Sequence, residues 1–215
     1  MKKFLIFAFS LCMVFSMISY RSDVSSKVNY NTNNQDSTNK NILIVYFSRA
    51  GENYDVGHIS IGNTAIMAGF IQDYTGGATF EIVPVVPYPD SYDSMKEVSK
   101  QETAVNVHPT IKNPLENLDR YSIVFVGSPI WYGAPPMIMR TFYETYREKL
   151  AGKTIVPFGT HEGSGVSSCM NLVKEYFPDA TLLEAFGIKG HEVNNSRESV
   201  EEWLRKIGIP KKEQK

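Results

Sequence analysis

Short apolar runs recur along the chain, and the clearest of them have no polar residue at alternate positions. Ile42–Phe47 reads ILIVYF and Ile123–Val126 reads IVFV. Strands that are apolar on both faces are typical of parallel sheets covered by helices on each side. Further strands are predicted at Ala78–Val83, Thr154–Phe158 and Leu182–Ile188.

Helical patterns occupy the stretches between these predicted strands. Gly76 is placed to end the first helix, Asp90 or Ser91 to cap the second, and Asn195 with Glu198 to form a capping box at the last. Five strand–helix alternations predict an α/β fold, a doubly wound five-stranded parallel sheet with helices on both faces. The predicted helices are Thr64–Tyr74, Ser91–Ala104, Pro135–Lys149, Val166–Phe177 and Asn195–Ile207.

The amino-terminal segment has a different character. Lys2 and Lys3 precede Phe4–Ser19, sixteen residues without a charge. A basic start followed by an apolar stretch predicts a secretory signal peptide over residues 1–19. At 1.5 Å per residue the stretch reaches about 24 Å, a little short of a membrane span, so an uncleaved membrane anchor is the alternative. A lipid anchor on Cys12 is disfavoured, because bulky Leu11 precedes it.

The remaining organisation follows from composition and charge. Residues 20–41 are rich in Asn, Ser, Thr and Asp and are predicted to form a flexible polar tether. Residues 42–208 form the predicted domain, and 209–215 a charged tail. The whole chain has a formal net charge of −1, but from Arg49 onward 17 basic and 21 acidic residues leave about −4. We therefore expect an exported protein, secreted or membrane-tethered, that does not bind nucleic acid.

The loops that follow the first, third and fourth strands are the places to look for a binding site, because ligands bind at the carboxyl ends of parallel strands near the switch point. Hydroxyls, a guanidinium and free N–H groups at a helix start predict a phosphate site after the first strand. A glycine turn with a helix cap is the alternative. The candidate residues are Ser48, Arg49, Ala50, Gly62, Asn63 and Thr64.

The other two loops suit a flat ring. Two adjacent aromatic residues in a Pro/Gly-rich loop are poorly explained as core, and they would form a wall for such a ring. The fourth loop offers small residues and backbone groups for the polar edges of the ring. Together the three loops predict a mononucleotide site. The candidates here are Pro129, Ile130, Trp131, Tyr132, Gly133, Thr160, His161, Gly163 and Ser164.

Competing motifs fit less well. Gly152-Lys153-Thr154 echoes a phosphate-binding P-loop but leads into a strand instead of a helix. A hydrolase built on Ser164 and His161 lacks the glycine that a nucleophile elbow needs two residues before the serine. The four histidines have no metal-ligand spacing, and Cys169 is expected to be buried as a small hydrophobe. We therefore predict no catalytic residue and no metal site.

With these loops in view, the chain resembles the flavodoxin-like FMN proteins over roughly residues 41–208, most strongly an exported bacterial branch with a lengthened first loop. The resemblance implies a sheet of strand order 2-1-3-4-5 that binds FMN without covalent linkage. The segments that carry it are Tyr46–Tyr54, Gly62–Thr64, Phe80–Pro84, Ser128–Gly133 and Thr160–Gly165.

The resemblance also implies a role for each loop. Ser48, Arg49, Asn63 and Thr64 would hold the phosphate. Residues 129–133 would line the isoalloxazine, with Trp131 or Tyr132 against a ring face, and residues 160–164 would close the far edge. The phosphate loop is split by the insertion 52–61, so that Asn53 and Asn63 are both candidates for its asparagine. Asn63 is preferred, because the helical period begins only after Thr64.

These features predict an FMN-binding electron carrier outside the cytoplasm. An acidic domain disfavours an anionic reduced flavin and so favours a low-potential donor. The expected partner is a redox protein or a small-molecule electron acceptor. The alternative is an FMN-dependent NAD(P)H:quinone or nitro-compound reductase, and a third hypothesis is a binding module that uses the scaffold without flavin.

Overall fold

Strands and helices alternate along the chain in a computed structural model that describes residues 41–213. Two 3-10 helices, Leu118–Arg120 and Gly190–Asn195, complete the fold of this part of the chain. The strands and α-helices are β1 (Ile42–Tyr46), β2 (Gly51–Asn53), β3 (Gly57–Ile59), α1 (Asn63–Thr75), β4 (Ala78–Glu81), α2 (Tyr92–Ala104), β5 (Ile123–Pro129), α3 (Met137–Thr145), α4 (Arg147–Leu150), β6 (Thr154–His161), α5 (Ser167–Tyr176), β7 (Thr181–Leu182), β8 (Phe186–Lys189) and α6 (Arg197–Lys206).

The predicted leader at residues 1–19 and nearly all of the predicted tether lie outside the described residues, as do the last two residues of the predicted tail. Within 41–213, no helix is both long and apolar enough to cross a membrane. The domain boundaries and the export of the chain stay predictions.

The central sheet runs β4–β1–β5–β6, with β7 and β8 both pairing with β6, and all of these pairs are parallel. In sequence order the predicted strands are thus arranged 2-1-3-4-5, which confirms the predicted doubly wound sheet. From β1 the chain continues to β4 on one side of β1, and it then returns to β5 on the other side. This switch point is where a doubly wound sheet leaves a crevice for a ligand.

Alternate residues of β1 enter two different cores. Leu43 and Val45 pack in one cluster with Ile138 and Phe142 of α3. Ile42 and Ile44 pack in the other, which contains side chains of α1 and α6. Helices therefore cover both faces, as an apolar parallel sheet requires.

Cys169 on α5 is buried, as the sequence analysis expected, with 3% of its surface exposed. Burial raises the pKa of its thiol to about 11. At neutral pH this side chain is therefore a protonated, apolar core residue.

Several elements differ from their predictions. β5 and β6 extend to Pro129 and His161, three residues beyond the predicted ends. The predicted fifth strand is split into β7 and β8, and between them the carbonyl of Glu184 accepts a hydrogen bond from Trp203 Nε1 at 2.9 Å. The antiparallel hairpin β2–β3 within the insertion was not predicted.

Two helix starts also differ. The capping box at Asn195 is wrong, because Asn195 ends the 3-10 helix and Ser196 takes the N-cap position of α6. The Ser196 hydroxyl donates to the carbonyl of Val193 at 2.8 Å instead of capping the helix. The third helix begins at Met137, just after the two prolines, and the backbone breaks at Tyr146 before α4.

Candidate functional site

A cleft of about 250 Å³ opens at the carboxyl ends of β1, β5 and β6, at the switch point of the sheet. Its walls come from the three loops that follow these strands, from the hairpin β2–β3, and from the first turns of α1 and α2. The lining residues are Ser48, Arg49, Asn53, Tyr54, Val56, Asn63, Thr64, Tyr92, Met95, Lys96, Pro129, Ile130, Trp131, Tyr132, Gly133, Thr160, His161, Glu162, Ser164 and Gly190.

Most of the predicted binding residues are brought together here. Three of them do not line the cleft: Ala50 and Gly163 are exposed, and Gly62 is buried behind the first loop. Both candidate asparagines, Asn53 and Asn63, line it, so the choice between them stays open. The predicted residues in the lining are Ser48, Arg49, Asn63, Thr64, Pro129, Ile130, Trp131, Tyr132, Gly133, Thr160, His161 and Ser164.

One end of the cleft is the amino terminus of α1. The first amides of a helix have no acceptor within the helix, and together with the helix dipole they favour an anion. The Ser48 hydroxyl accepts a hydrogen bond from the Ala65 amide at 3.0 Å, so its own proton is available to a ligand. The hydroxyls of Thr64 and Thr160 are hydrogen-bonded at 2.8 Å and join α1 to the end of β6.

Gly62 lets the first loop pack directly on this helix start. A Cβ atom at Gly62 would lie 2.2 Å from the Ser48 Oγ and 2.7 Å from the carbonyl oxygen of Arg49. No side chain fits in that space. Gly62 therefore shapes the end of the cleft at α1 from behind, without lining it.

Arg49 makes contacts that differ from its expected role at a phosphate. Its guanidinium donates to the carbonyl oxygens of Glu52 at 2.7 Å, Pro89 at 2.6 Å and Asp90 at 2.5 Å. Burial lowers its pKa, an effect opposed by the nearby carboxylates of Asp90 and Glu52. The side chain fastens the insertion to the segment before α2, and a direct contact with phosphate stays a prediction.

The aromatic loop is held by a two-residue turn. The backbones of Trp131 and Ala134 exchange hydrogen bonds of 2.8 and 3.1 Å. Between them Tyr132 and Gly133 both have positive φ, at 50° and 79°, the arrangement of a tight hairpin turn. The turn leaves the Tyr132 side chain 59% exposed at the mouth of the cleft.

Trp131 itself leans against the core. Its ring meets those of Phe47 and Tyr88 edge to face, with centroids 5.7 and 5.0 Å apart. Such contacts fix the orientation of an aromatic side chain. Trp131 is thus a rigid part of the cleft wall, and Tyr132 is the more accessible of the two predicted ring contacts.

A further part of the cleft wall, which comes from the hairpin turn and the start of α2, was not predicted from the sequence. Tyr54 in the hairpin turn and Tyr92 at the start of α2 have ring centroids 5.9 Å apart. The Lys96 ammonium lies 5.4 Å from the Tyr92 ring and pairs with Asp93 at 2.7 Å. Met95 is buried beside them. The sequence did offer one sign of this wall: Tyr92 and Met95 are apolar residues in the first turn of the second helix, which also starts at the carboxyl edge of the sheet.

A polar cluster joins three segments near the amino terminus of α1. His191 Nδ1 donates to Glu162 Oε2 at 2.6 Å, and the His191 amide donates to Glu162 Oε1 at 3.2 Å. One carboxylate oxygen of Asp55, in the hairpin turn, lies within 4.8 Å of both groups. No spacing in the sequence could have found this set, since its members come from separate loops. His191 thus holds Glu162, which lines the cleft.

His161 closes the cleft at the end of β6. Its Nδ1 accepts a hydrogen bond from the Gly163 amide at 3.0 Å. The pKa of His161 is lowered, mainly because the ring is partly buried. This imidazole is therefore neutral at pH 7.

A doubly wound parallel sheet with a helix amino terminus and an aromatic loop at its switch point defines the class of mononucleotide-binding α/β proteins. The flavodoxin family model matches residues 41–207. The chain belongs to the flavodoxin family. This match includes every residue of the cleft. A comparison with curated proteins gave no match.

Solved structures agree with this assignment. A candidate flavoprotein from Bacteroides eggerthii is 30% identical, with a TM-score of 0.63, and the match covers 80% of this chain and 99% of that one. For a second candidate flavoprotein, from Bacteroides uniformis, the identity is 25%, the TM-score 0.60 and the coverage 78% and 99%. A flavoprotein from Lactobacillus acidophilus in complex with FMN shares the fold at 20% identity and a TM-score of 0.53, covering 73% and 97%.

Proposed function

We propose that the chain binds FMN in the cleft and transfers electrons outside the cytoplasm, with a redox protein or a small-molecule electron acceptor as its partner. One observation carries the proposal: a helix amino terminus and an aromatic loop flank the same cleft at the switch point. The family assignment and the FMN complex of the Lactobacillus acidophilus flavoprotein support it. FMN, when bound, supplies the redox chemistry.

The residues of the cleft fit the parts of this cofactor. The helix amides at Asn63 and Thr64, with the Ser48 hydroxyl, suit the phosphate. Trp131 and Tyr132 suit the faces and edges of the isoalloxazine, and Tyr54 and the first turn of α2 belong to the same lining. The protein's task is to bind, orient and partly cover the ring, and no side chain is required as a nucleophile.

Export is the second part of the proposal. It rests on the basic and apolar segment at residues 1–19 and on the polar stretch that follows. An exported protein is separated from cytosolic NAD(P)H, which favours a carrier over a reductase. Amino-terminal sequencing of the cellular form, together with fractionation, tests this part. A protein found in the cytoplasm with residues 1–19 intact would contradict it.

Titration of the purified protein with FMN tests the cofactor. Binding should quench flavin fluorescence and shift its visible absorption. Ser48→Ala should weaken binding several-fold, because the hydroxyl at the helix start is lost, while the exposed Ser94→Ala on α2 serves as a matched control. A wild-type protein that stays colourless and leaves FMN fluorescence unchanged contradicts the proposal. Rapid NAD(P)H oxidation with a quinone, by the flavoprotein alone, would favour the reductase instead.

A further inference from the structure

His161 occupies a fixed position at the edge of the cleft. It is the last residue of β6 and lines the cleft beside Thr160. Strand β8 packs closely against the His161 ring: a Cβ atom added to Gly187 of β8 would lie 3.2 Å from the His161 Cδ2. The ring is thus confined between its own glycine loop and the neighbouring strand.

The hydrogen bond from Gly163 determines which ring nitrogen carries the proton. An amide N–H can donate only to an unprotonated nitrogen, and here it donates to Nδ1 at 3.0 Å. The neutral ring therefore carries its hydrogen on Nε2 and is a donor there. A second proton would have to bind Nδ1 and would break the bond from Gly163.

Charged groups around the ring oppose one another. Glu162 on the same loop and Glu192 on the 3-10 helix favour the charged imidazolium, while Lys189, paired with His161 across β6 and β8, disfavours it. Partial burial is the largest influence and also disfavours the charge. The ring is held neutral by the same surroundings that hold it in place.

We propose that His161 is a fixed, neutral Nε2–H donor to the polar edge of the isoalloxazine, and that this donor helps to set the redox potential of the bound flavin. This inference rests on the proposed function. The polar edge of oxidised flavin presents mainly acceptor atoms, and reduction adds negative charge there. A donor at this edge therefore binds the reduced form more tightly than the oxidised form, while the proton stays on Nε2.

Two substitutions separate the donor from the ring. His161→Phe keeps a planar side chain and removes the donor, whereas His161→Gln can place an amide N–H near the position of Nε2. His161→Phe should lower the affinity for reduced FMN relative to oxidised FMN about tenfold, which corresponds to roughly 30 mV for a two-electron couple. His161→Gln should stay close to wild type. His108→Gln, a histidine paired with Glu144 away from the cleft, is the matched control.

Two measurements decide the matter. Nitrogen-15 NMR of the wild-type protein without flavin should show the His161 proton on Nε2; a proton on Nδ1 overturns the inference. Spectroelectrochemistry of the FMN-loaded variants should show the shift in His161→Phe only, and equal potentials in wild type and His161→Phe overturn the inference too. A wild-type protein that does not bind FMN at all refutes the proposed function, whatever the NMR result, and the inference with it.

Discussion

Tyr132 adopts a backbone conformation that its side chain disfavours. With φ at 50° it lies in the left-handed region, which costs a residue with a Cβ atom about 1 kcal/mol or more. The two hydrogen bonds between Trp131 and Ala134 hold it there. Strain of this kind persists where the surroundings impose it, and it is common at binding sites. The gain is an aromatic side chain at the mouth of the cleft.

Replacing Tyr132 with asparagine should therefore separate stability from binding. Asparagine tolerates the left-handed region, so Tyr132→Asn should raise the free energy of unfolding by about 0.5–1 kcal/mol. It should also weaken FMN binding several-fold, because the exposed ring is lost. Urea denaturation and flavin fluorescence measure the two effects. Tyr54→Asn is the control: this tyrosine is equally exposed in the cleft wall, at 62%, but its φ is not positive. A less stable Tyr132→Asn protein would contradict the argument.

Adding a single Cβ atom at Gly62, and at Gly69 as a control, tests how closely the first loop packs on α1. Gly62→Ala places a Cβ atom within 2.2 Å of the Ser48 hydroxyl, so the first loop must move away from α1. FMN affinity should fall at least tenfold, and stability by about 1–3 kcal/mol. Gly69, within α1, has open space where a Cβ atom would stand. Gly69→Ala should therefore keep the affinity and raise stability by about 0.5–1 kcal/mol. Equal affinities in the two variants would exclude the packing role of Gly62.

At the scale of elements, Arg49 is one of the contacts that fasten the hairpin β2–β3 to the segment before α2, beside the Glu52 amide, which donates to the Asp90 carbonyl at 2.9 Å. Arg49 connects the hairpin strand at Glu52 to the backbone of Pro89 and Asp90. Arg49→Met keeps the apolar stem and removes every donor, which leaves carbonyl oxygens without these partners. The free energy of unfolding should fall by about 1–2 kcal/mol, and hydrogen exchange should quicken in residues 51–59.

The control for this prediction is an arginine on the surface. Arg197 pairs with Asp73 at 2.7 Å with both side chains about half exposed. Such pairs contribute about 0–1 kcal/mol, so Arg197→Met should have a small effect and leave hydrogen exchange in the hairpin unchanged. If Arg49→Met destabilises no more than Arg197→Met, Arg49 does not fasten the hairpin.

The order of the elements was predictable because burial on both faces of a strand leaves a clear composition. Buried parallel strands are the natural interpretation of Ile42–Phe47 and Ile123–Val126, because helical patterns lie between these apolar runs. The added length of β5 and β6 was not predictable, since glycine, serine and proline follow and favour loops. These added residues are held in extended conformation because β5 and β6 pair with each other along this stretch, as Gly127 does with Phe158. The hairpin was missed for a related reason, because Glu52, Asn53 and His58 are poor strand formers.

The site, like the fold, was predictable only in part. The three loops were found because the topology places them at one edge of the sheet, and Trp131, Tyr132 and His161 accordingly lie in one cleft. The wall from α2 was missed because Tyr92 and Lys96 belong to a helix start that carries no motif. The role of Arg49 depends on where the carbonyls of Pro89 and Asp90 point, which no pattern of residue types encodes.

At the scale of the whole molecule, His161 also links stability to pH. Its pKa is lowered from 6.5 in the folded protein, so as the pH falls below about 6.5 the unfolded chain takes up a proton that the folded protein does not. The contribution of this histidine to stability is therefore full above pH 6.5 and decreases as the pH falls toward the folded pKa. Glutamine does not titrate. The stability of wild type relative to His161→Gln should thus decrease from pH 7 to pH 5.

Urea denaturation of the two flavin-free proteins at several pH values checks this. Comparing them removes the other titrating groups, including Glu81 and Glu102, whose pKa values are raised by burial and which act in the opposite sense at lower pH. A stability difference that stays constant between pH 7 and pH 5 would contradict the prediction. So would a difference that grows in favour of wild type.

The position of Asn41 has a consequence for how the molecule can be approached. Its carbonyl accepts hydrogen bonds from the Ser122 and Ile123 amides, so the described chain enters the sheet at the amino edge of the strands. The cleft lies at the other edge, about 16 Å away along β1. The described chain is therefore joined to the sheet at the edge opposite the cleft, and a group attached at residue 41 would leave the mouth of the cleft open to a ligand.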